Sequence, residues 1–372
     1  MPVHVAVVGA GLMGSATALA LARLGAAVTL YEAREFGHAA GSSHGSARIF
    51  RRAYRDPLYV RMTGEAAELW RSLESASGTP LLKVTGGLDY GSVRDPVGIA
   101  AALAGQGVAH TLLTADEAAK RWPGFAFDGP VLFHPEAGVV DADRAVRAMI
   151  AAAVTAGARA VARTPVVRID RRGAGARVHL AGGATRVADV VVVAAGPWLP
   201  DLLGDVVALP PLRVTQQQVF HFPRRDPAAD WPVFVYKGPD AQVYGLPGGR
   251  DGGPGGAVKL AEHDGGHVTT ADARDFAIDP ASRERLRALL ATRFPGLEPA
   301  PFAPASCLYT STANEDFLID RVGPIVVCSP CSGHGAKFAP LIGEIAATLA
   351  LGGRTYDPRF TLRAHAVTSM IG

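Results

Sequence analysis

Cysteine is scarce in this sequence, and charge of one sign is nowhere concentrated. The 372 residues include three cysteines, which are too few for a disulfide framework and favour a reducing, cytoplasmic location. The formal net charge is +3, and the absence of a basic block or arginine-rich stripe argues against nucleic acid as a partner. The chain is too long for one compact core, so its length predicts about two domains.

Residues 5–22 carry no charge, and hydropathy alone would assign this run to a membrane span. No Lys/Arg-rich region precedes it, as one would in a signal peptide. The run also contains three glycines, at positions 9, 11 and 14, and its β-forming residues give way to helix-forming ones. It therefore predicts a buried strand followed by a buried helix, and no membrane partner.

These glycines form the pattern G-x-G-x-x-G, which is typical of dinucleotide-binding βαβ units. An apolar strand is predicted over residues 3–8 and a helix from about Ser15 to Leu24. Gly9 would permit a tight turn, Gly11 would let the backbone approach a pyrophosphate, and Gly14 would let the helix pack on the strand. The free N–H groups at the start of the helix would bind the phosphates.

Glu32 follows a second apolar strand, Val28 to Tyr31, and completes the unit. A carboxylate there accepts hydrogen bonds from ribose hydroxyls and would repel the 2′-phosphate of NADP. Two further strand–glycine features lie far along the chain, at Val190 to Gly196 and at Ile325 to Phe338. An NAD dehydrogenase would usually continue into more βα units after Glu32, so these separated features favour an extended FAD.

Three motifs together resemble one family of flavoproteins. They are S-S-H-G-S-A-R-I-F-R-R-A-Y at Ser42 to Tyr54, the tract from Cys307 to Asp320, and S-G-H-G-A-K-F at Ser332 to Phe338. They look like monomeric sarcosine oxidase and N-methyltryptophan oxidase, of the D-amino-acid-oxidase-like family, with order and spacing kept from residue 3 to about 352. The resemblance implies an α/β fold: a Rossmann-like FAD-binding domain of the glutathione-reductase type, interleaved with a mostly antiparallel β-sheet substrate domain.

The resemblance divides the chain into alternating segments. The FAD-binding domain would take residues 1–83, 138–211 and 312–372. The substrate domain would take residues 84–137 and 212–311, where β-rich stretches without βα alternation indicate an antiparallel sheet. Strands are predicted there over residues 212–222, 232–237, 242–246, 257–263 and 306–311. Thr114 to Glu117 predicts a capping box, and residues 251–256 predict a flexible hairpin loop.

The resemblance also implies which residues hold FAD. They are Gly9, Gly11, Gly14, Glu32, Ser42, Ser43, Gly196, Cys307, Gly333, Gly335 and Lys337. Taken alone, Cys307 could be a small buried hydrophobe, as most free cysteines are. By resemblance it is the cysteine that forms a thioether with the flavin, so covalent FAD is expected. Cys328 and Cys331 have the spacing of a redox pair but lack a thioredoxin-like context, and chance spacing is the preferred interpretation.

Four residues are predicted to act in catalysis by resemblance: Lys259, His263, Arg48 and His44. Lys259 aligns with a lysine that activates oxygen, where a fixed cation stabilises charge developing on oxygen. From the strand pattern alone it could be an ordinary outward-facing lysine. His263 would lie near the substrate, although it could equally be a solvated strand end. Arg48 and His44 would flank the flavin ring.

Arg51 and Lys337 are predicted to bind a substrate carboxylate, the arginine bidentately and the lysine as a point charge. Lys337 precedes a predicted helix, and the helix dipole disfavours a cation there, which indicates a functional role. Tyr309 lies two residues after Cys307 on the same strand face and would line the pocket.

The expected reaction is oxidation of an N-methyl or cyclic secondary amino acid to an imine, with molecular oxygen reduced to hydrogen peroxide. The sequence departs from the sarcosine oxidase pattern at Ser43, Arg52 and the loop 248–256, which leaves the substrate open. Alternatives are a cyclic imino-acid oxidase of a biosynthetic pathway, an amine dehydrogenase with another electron acceptor, and a regulatory nucleotide-binding protein without turnover. No metal site is predicted, and a monomer is expected.

Overall fold

The structure is a computed structural model that describes residues 1–253 and 256–368. Its strands are β1 His4–Val8, β2 Ala27–Tyr31, β3 Arg48–Phe50, β4 Leu82–Val84, β5 Gly87–Tyr90, β6 Thr111–Leu113, β7 Val131–His134, β8 Gly138–Val140, β9 Arg159–Val161, β10 Val166–Arg172, β11 Gly175–Leu180, β12 Thr185–Ala188, β13 Val190–Val193, β14 Arg213–Phe222, β15 Val233–Lys237, β16 Gln242–Pro247, β17 Val258–Glu262, β18 His267–Val268, β19 Phe302–Ser311, β20 Leu318–Val322 and β21 Ile325–Ser329. Its α-helices are α1 Leu12–Arg23, α2 Pro57–Ser77, α3 Pro96–Ala104, α4 Ala115–Arg121, α5 Ala142–Thr155, α6 Leu199–Leu203, α7 Pro280–Arg293, α8 Ala339–Ala350 and α9 Leu362–Thr368. Short 3-10 helices lie at Gly196–Trp198, Arg250–Gly252, Gly335–Phe338 and Pro358–Phe360.

One sheet has six strands in the order β20-β21-β13-β1-β2-β9, and all neighbours are parallel except β20 with β21. Its strands are rich in valine because both faces are covered. Val5 and Val7 of β1 pack among α1, α5 and α8. Ala6 and Val8 point the other way and pack on the antiparallel sheet β10-β11-β12. The carboxyl ends of the parallel strands therefore meet along one edge between two covered faces.

The second large sheet has nine strands, in the order β18-β14-β17-β16-β15-β5-β7-β6, with β19 also paired to β14. Its named pairs are antiparallel except β15 with β5. Successive side chains point to opposite faces, and one face buries an aromatic core that includes Phe220, Phe234 and, from the end of α7, Phe294. The opposite face is left for the cavity described below.

The predicted architecture, a mostly parallel α/β sheet interleaved with a mostly antiparallel one, is confirmed. The strands of the six-stranded sheet come from residues 1–83, 138–211 and 312–372. Those of the nine-stranded sheet come from residues 84–137 and 212–311. A second three-stranded sheet, β3-β8-β4, carries Arg48 at the start of β3.

The uncharged run over residues 5–22 forms β1 and most of α1, as predicted. The predicted start of the helix was wrong: α1 begins at Leu12 rather than at Ser15, because the extended Gly11 ends the turn and helical backbone follows at once. Among the described residues, no helix combines the length and the apolar character that a membrane crossing needs.

Three local predictions fall in the substrate segments. The capping box is confirmed, with the N–H of Glu117 donating to Thr114 Oγ1 at 3.3 Å and the N–H of Thr114 donating to the Glu117 carboxylate at 2.8 Å. Strand β19 begins at Phe302, earlier than predicted, because it pairs with β14 over its whole length. Of the predicted loop 251–256, residues 254–255 lie outside the described part of the chain.

Candidate active site

A cavity of about 730 Å³ lies between the carboxyl ends of the parallel strands and the open face of the nine-stranded sheet. Every residue that the sequence predicts for cofactor, substrate or catalysis lines it, except Gly14. Gly14 lies inside α1, and its predicted role was packing rather than ligand contact. The fold thus brings together residues from position 9 to position 337.

The motif glycines occur where an added side chain would collide with neighbouring atoms. A Cβ on Gly14 would lie 1.7 Å from the carbonyl oxygen of Gly9, so only glycine lets α1 approach β1 this closely. Gly9 itself has φ +96°, and its Cβ would lie 2.6 Å from the carbonyl oxygen of Ala194. Gly11 faces Ser43, whose Oγ would be 2.8 Å from an added Cβ. The turn therefore presents bare backbone to the cavity.

Glu32 lies at the carboxyl end of β2 as a buried carboxylate. Its oxygens accept the N–H of Ala10 at 2.9 Å and that of Arg34 at 3.0 Å, and His38 Nε2 lies 3.1 Å away. Burial alone would raise the pKa of Glu32, but the hydrogen bonds from His38, Ala10 and Arg34 outweigh it and lower the pKa. An ionised acceptor at this place suits ribose hydroxyls.

The loop after β2 is held on the cavity wall by its own side chains. Ser43 Oγ accepts the first N–H of α1 at 3.0 Å, and Ser42 Oγ donates to the carbonyl of Leu308 at 2.5 Å. Arg48 donates to the carbonyls of Ser42 at 3.0 Å and His44 at 2.5 Å. Most of the Arg48 donors are thus used to shape the loop, while its positive charge stays at the cavity.

Two histidines in the cavity are neutral. Burial, followed by the charges of Arg48 and other cations, lowers the pKa of His44 to about 3. Burial, followed by the charge of Lys237, lowers the pKa of His263 to about 4. The Nε2 atom of His44 is buried without a hydrogen-bond partner among the described residues, which indicates that a bound group completes its contacts.

The nine-stranded sheet supplies the opposite wall through alternate residues. Cys307 and Tyr309 of β19, Tyr244 of β16, Lys259 of β17 and His263 just beyond it all line the cavity. Tyr309 Oη donates to Tyr244 Oη at 3.3 Å. Because side chains alternate along a strand, these positions are on the face opposite to the aromatic core.

Lys259 is a buried cation, with 6% of its surface exposed. Its Nζ lies 3.4 Å from the carbonyl oxygen of Ala47, a weak contact. Burial and then the charge of Arg48 lower the pKa of Lys259 to about 8, which the carboxylate of Asp251 partly offsets. The ammonium is therefore charged at neutral pH and has hydrogen-bonding capacity to spare.

Arg51 and Lys337, which we call the clamp, meet at the side chain of Tyr54. Lys337 Nζ donates to Tyr54 Oη at 3.0 Å, and the Arg51 guanidinium lies 4.2 Å from the centre of the tyrosine ring. Tyr54 Oη in turn lies 3.2 Å from His334 Nδ1. Burial, followed by the charges of Arg51 and Arg94, lowers the pKa of Lys337 well below its ordinary value. A bound carboxylate would reverse that shift.

Asp89, Arg94 and His134 form a buried ion network next to Arg51 of the clamp. Asp89 accepts from Arg94 Nε at 2.5 Å, and His134 Nε2 lies 2.9 Å from its other oxygen. Burial alone would raise the pKa of Asp89, but Arg94 and His134 hold it well below its usual range. Arg94 also donates at 2.9 Å to the carbonyl of Ala53, which accepts from Arg51 too. The network thereby positions the clamp arginine.

The turn before α8 carries Gly333 and Gly335 to the cavity beside Lys337. A Cβ on Gly335 would lie 1.7 Å from the carbonyl oxygen of Pro330. A Cβ on Gly333 would lie 2.6 Å from the ring of Tyr309. This tight turn sets the clamp lysine at the start of the helix.

All three cysteines are free, so Cys328 and Cys331 form no disulfide. Cys328 is buried in β21, and burial raises its pKa to about 12. Burial also raises the pKa of Cys331, which lines the cavity. Cys307 is half-buried, on the cavity wall, and near enough to Lys259 and Arg274 to interact with their charges.

Sequence reasoning missed several residues at this site. Arg274 ties the loop to β19, donating to the carbonyls of Ala39 at 3.0 Å and Ala40 at 2.7 Å and to Ser306 Oγ at 3.1 Å. The residues that flank Arg274 in the sequence show no motif that predicts these contacts. Tyr244 could have been found, because it alternates along a strand that had been predicted.

These features fit FAD. The bare turn at Gly9 and Gly11 suits a pyrophosphate, the ionised Glu32 suits a ribose, and the unpartnered nitrogen of His44 lies in the cavity further along the same wall. Within the described residues, no group of three or more His, Cys, Asp or Glu side chains is placed to hold a metal ion.

Comparison with known proteins agrees with this reading of the cavity. The sequence matches the FAD dependent oxidoreductase family over residues 4–349. Monomeric sarcosine oxidase from Bacillus sp. (strain B-0618) is 32% identical over 366 residues, covering 94% of this chain and 93% of the relative. N-methyl-L-tryptophan oxidase from Yersinia pestis (strain Pestoides F) is 30% identical, covering 92% and 94%. The solved structure of NikD, an unusual amino acid oxidase essential for nikkomycin biosynthesis, has a TM-score of 0.84 and 26% identity, with 95% of each chain covered.

Proposed function

The chain belongs to the FAD dependent oxidoreductase family and is an FAD-dependent amine oxidase. We propose that it oxidises N-methyl or cyclic secondary amino acids to imines, with oxygen as the electron acceptor. The observation that carries the proposal is that one cavity holds a two-cation clamp, Arg51 and Lys337, together with a separate buried cation, Lys259. The clamp suits a carboxylate, and the separate cation suits the reduction of oxygen.

The clamp orients the substrate. Its carboxylate would lie between the Arg51 guanidinium and the Lys337 ammonium, where two charge-assisted contacts also restore the charge of the lysine. Tyr54, which already contacts both side chains, keeps them together. Bound FAD supplies the acceptor for the two electrons and the hydrogen from the carbon next to the amine nitrogen.

The amine would bind in its neutral form. Burial and the neighbouring clamp cations both disfavour an ammonium ion, so they lower the pKa of the bound amine. His263 is uncharged, so it does not add to the electrostatic repulsion of an ammonium ion. Its neutral imidazole can donate a hydrogen bond to the amine or accept one from it. Water would then hydrolyse an acyclic imine product.

A substrate panel tests the proposal. Sarcosine, N-methyltryptophan, pipecolate and proline would be given to the purified enzyme in an oxygen electrode, with hydrogen peroxide measured in parallel. We expect oxygen uptake and peroxide with at least one of them. Reduction of the flavin under nitrogen without oxygen uptake would indicate a dehydrogenase with another acceptor. Turnover confined to pipecolate or related cyclic compounds would support the cyclic imino-acid alternative. No reduction by any of them, nor by N-methyl-L-aspartate or N-methyl-L-glutamate, would contradict the proposal.

We further propose that FAD is attached covalently through Cys307. In acid-denatured enzyme, the yellow colour should stay with the precipitated protein, and in Cys307→Ala it should pass to the supernatant. The reason is that Cys307 is half-buried beside two cations, whereas burial holds the other two cysteines in the thiol form. Cys331→Ala is the matched control, because Cys331 also lines the cavity. If the colour passed to the supernatant in Cys331→Ala and stayed with the precipitate in Cys307→Ala, the flavin would be attached to Cys331, and the proposal for Cys307 would be wrong.

The oxygen reaction should depend on pH through Lys259. Its pKa is lowered to about 8, so the ammonium is charged below that pH and neutral above it. The rate constant for reoxidation should therefore fall as pH rises through about 8. Stopped-flow mixing of reduced enzyme with oxygen from about pH 6.5 to about pH 9.5 measures this, since Lys ordinarily titrates above that range. A flat profile in the native enzyme would contradict it.

Three further proposals concern the domain division, the cellular location and the oligomeric state. The division into an FAD-binding domain and a substrate domain is supported by the way the strands partition between the two large sheets. The scarcity of cysteine and the three free thiols support a reducing, cytoplasmic location. We also propose that the protein is a monomer.

A further inference from the structure

Lys237 is a third lysine on the cavity wall, besides Lys259 and Lys337. It is the last residue of β15 and is half-buried. Within the described part of the chain its ammonium forms no ion pair and no side-chain hydrogen bond. A lysine that is partly withdrawn from water without a partner loses hydration and regains nothing from the protein.

The strand register aligns Lys237 with His263, the residue predicted to lie near the substrate. Lys237 pairs with Gln242 across β15 and β16, and the Gln242 carbonyl accepts the N–H of His263 at 2.8 Å. The three residues form one row across neighbouring strands, with side chains on the same face of the sheet. That face is the cavity wall, since Val235 and Tyr244 on it line the cavity too.

Charge at this end of the cavity exceeds what one carboxylate needs. The clamp already supplies two cations, and Arg94 behind it is paired with Asp89. Burial lowers the pKa of Lys237, and the charges of Arg94 and Arg51 lower it further, against opposing effects of Glu315 and Asp89. Lys237 therefore adds a further positive charge to the electrostatic potential around the clamp.

The carboxylates that line the cavity lie elsewhere. Among the described residues they are Glu32, Asp201, Asp251 and Asp272. Glu32 accepts N–H groups at the dinucleotide turn, Asp272 accepts from Trp198 Nε1 at 2.7 Å, and Asp251 accepts from Ser46. Asp201 belongs to α6, beyond Gly196. None of these four carboxylates pairs with Lys237, and Glu315 and Asp89 act on it through their charge without forming an ion pair with it in the described part of the chain. A ligand carboxylate would give it a direct partner.

We propose that Lys237 binds a second carboxylate of the substrate, so that the enzyme prefers secondary amino acids with an acidic side chain. This inference rests on the proposed function, because it names the substrate class of the same cavity. The carboxylate on the reacting carbon occupies the clamp, and the side chain extends along the sheet face past His263 to Lys237. A charge-assisted contact of this kind favours the acidic side chain over an uncharged one of equal size by about tenfold or more.

Matched substrate pairs test the inference. N-methyl-L-aspartate would be compared with N-methyl-L-asparagine, and N-methyl-L-glutamate with N-methyl-L-glutamine, because each pair differs only in charge. The ratio of kcat/KM, acid over amide, should be about ten or more for at least one pair in the native enzyme. It should fall to about one in Lys237→Met and be kept in Lys237→Arg.

The control is Lys120→Met, which removes an exposed lysine of α4 that does not line the cavity and should leave the ratio unchanged. A ratio near one for both pairs in the native enzyme would overturn the inference. So would a high ratio that survives in Lys237→Met.

Binding without turnover separates this inference from the proposed function. The thioether analogue 2-(methylthio)glutarate and its 5-amide lack the amine, and their binding is followed through the visible absorption of the flavin in the holoenzyme. Tighter binding of the dicarboxylate by about tenfold, lost in Lys237→Met, supports Lys237 even if no amine reduces the flavin. Equal binding of both analogues, with amine oxidation intact, overturns Lys237 and leaves the proposed function standing.

Discussion

Replacing Lys259 with methionine is expected to slow reoxidation of the reduced enzyme by oxygen by roughly 10²–10³-fold, the loss seen when one preorganised donor is removed from a charge-stabilising site. Reduction by substrate under nitrogen should change by only a few fold. The asymmetry arises because negative charge develops on oxygen in the second half-reaction, whereas a neutral amine is oxidised in the first. Methionine matches the length of the lysine stem and removes the charge alone.

Lys259 suits this role because it is buried with little else to bind. Its ammonium has one weak contact, to the carbonyl of Ala47 at 3.4 Å, and it points from β17 into the cavity beside Cys307. A cation held in place before charge develops stabilises that charge without the reorganisation that water would need. The nearby Arg48 adds to the field, although its donors are committed to loop carbonyls.

Stopped-flow spectroscopy measures the two half-reactions separately. Lys259→Arg keeps a cation and is expected to recover part of the oxygen reaction. The pH dependence seen in the native enzyme should also disappear in Lys259→Met, since the titrating group is gone. Unchanged reoxidation in Lys259→Met would remove the lysine from its proposed role and favour an electron carrier as the acceptor.

Replacing Arg51 with methionine should lower kcat/KM for the preferred amino acid by roughly 10²–10³-fold, because breaking one side of a buried ion pair costs about 3–5 kcal/mol. The substrate carboxylate would be left with Lys337 alone, whose own pKa is already lowered by burial. The loss should appear mainly in KM when the remaining contacts still orient the reacting carbon, and in kcat as well when they do not.

Arg52→Met is the matched control for Arg51→Met. Arg52 is the adjacent residue, but it pairs with Glu136 at 2.9 Å and does not line the cavity. Its loss should lower stability and leave kcat/KM within a few fold. Equal losses of activity in the two variants would show that Arg51 acts through folding rather than through the substrate carboxylate.

The parts of the site that were predictable from the sequence rest on short-range patterns. The turn at Gly9 and Gly11 and the acid at position 32 follow from the spacing of a single βαβ unit, and the resemblance added Lys259 and Cys307. The structure places all of these residues on one cavity. The start of α1 was wrong by part of a turn, because helix-forming composition does not mark the first residue with helical dihedral angles.

Local spacing alone predicts the dinucleotide-binding βαβ unit, and three quoted motifs carry the resemblance to an amine-oxidising flavoprotein family. The remaining contacts around the predicted substrate position form only when distant segments fold together. Tyr54 meets Lys337 across 283 residues of chain, Arg274 reaches back to the loop at Ala39, and Lys237 enters the row of His263 through strand register. These contacts join residues whose separation in sequence carries no period, so the side chains that we propose to select the substrate can be identified only when the strands are paired.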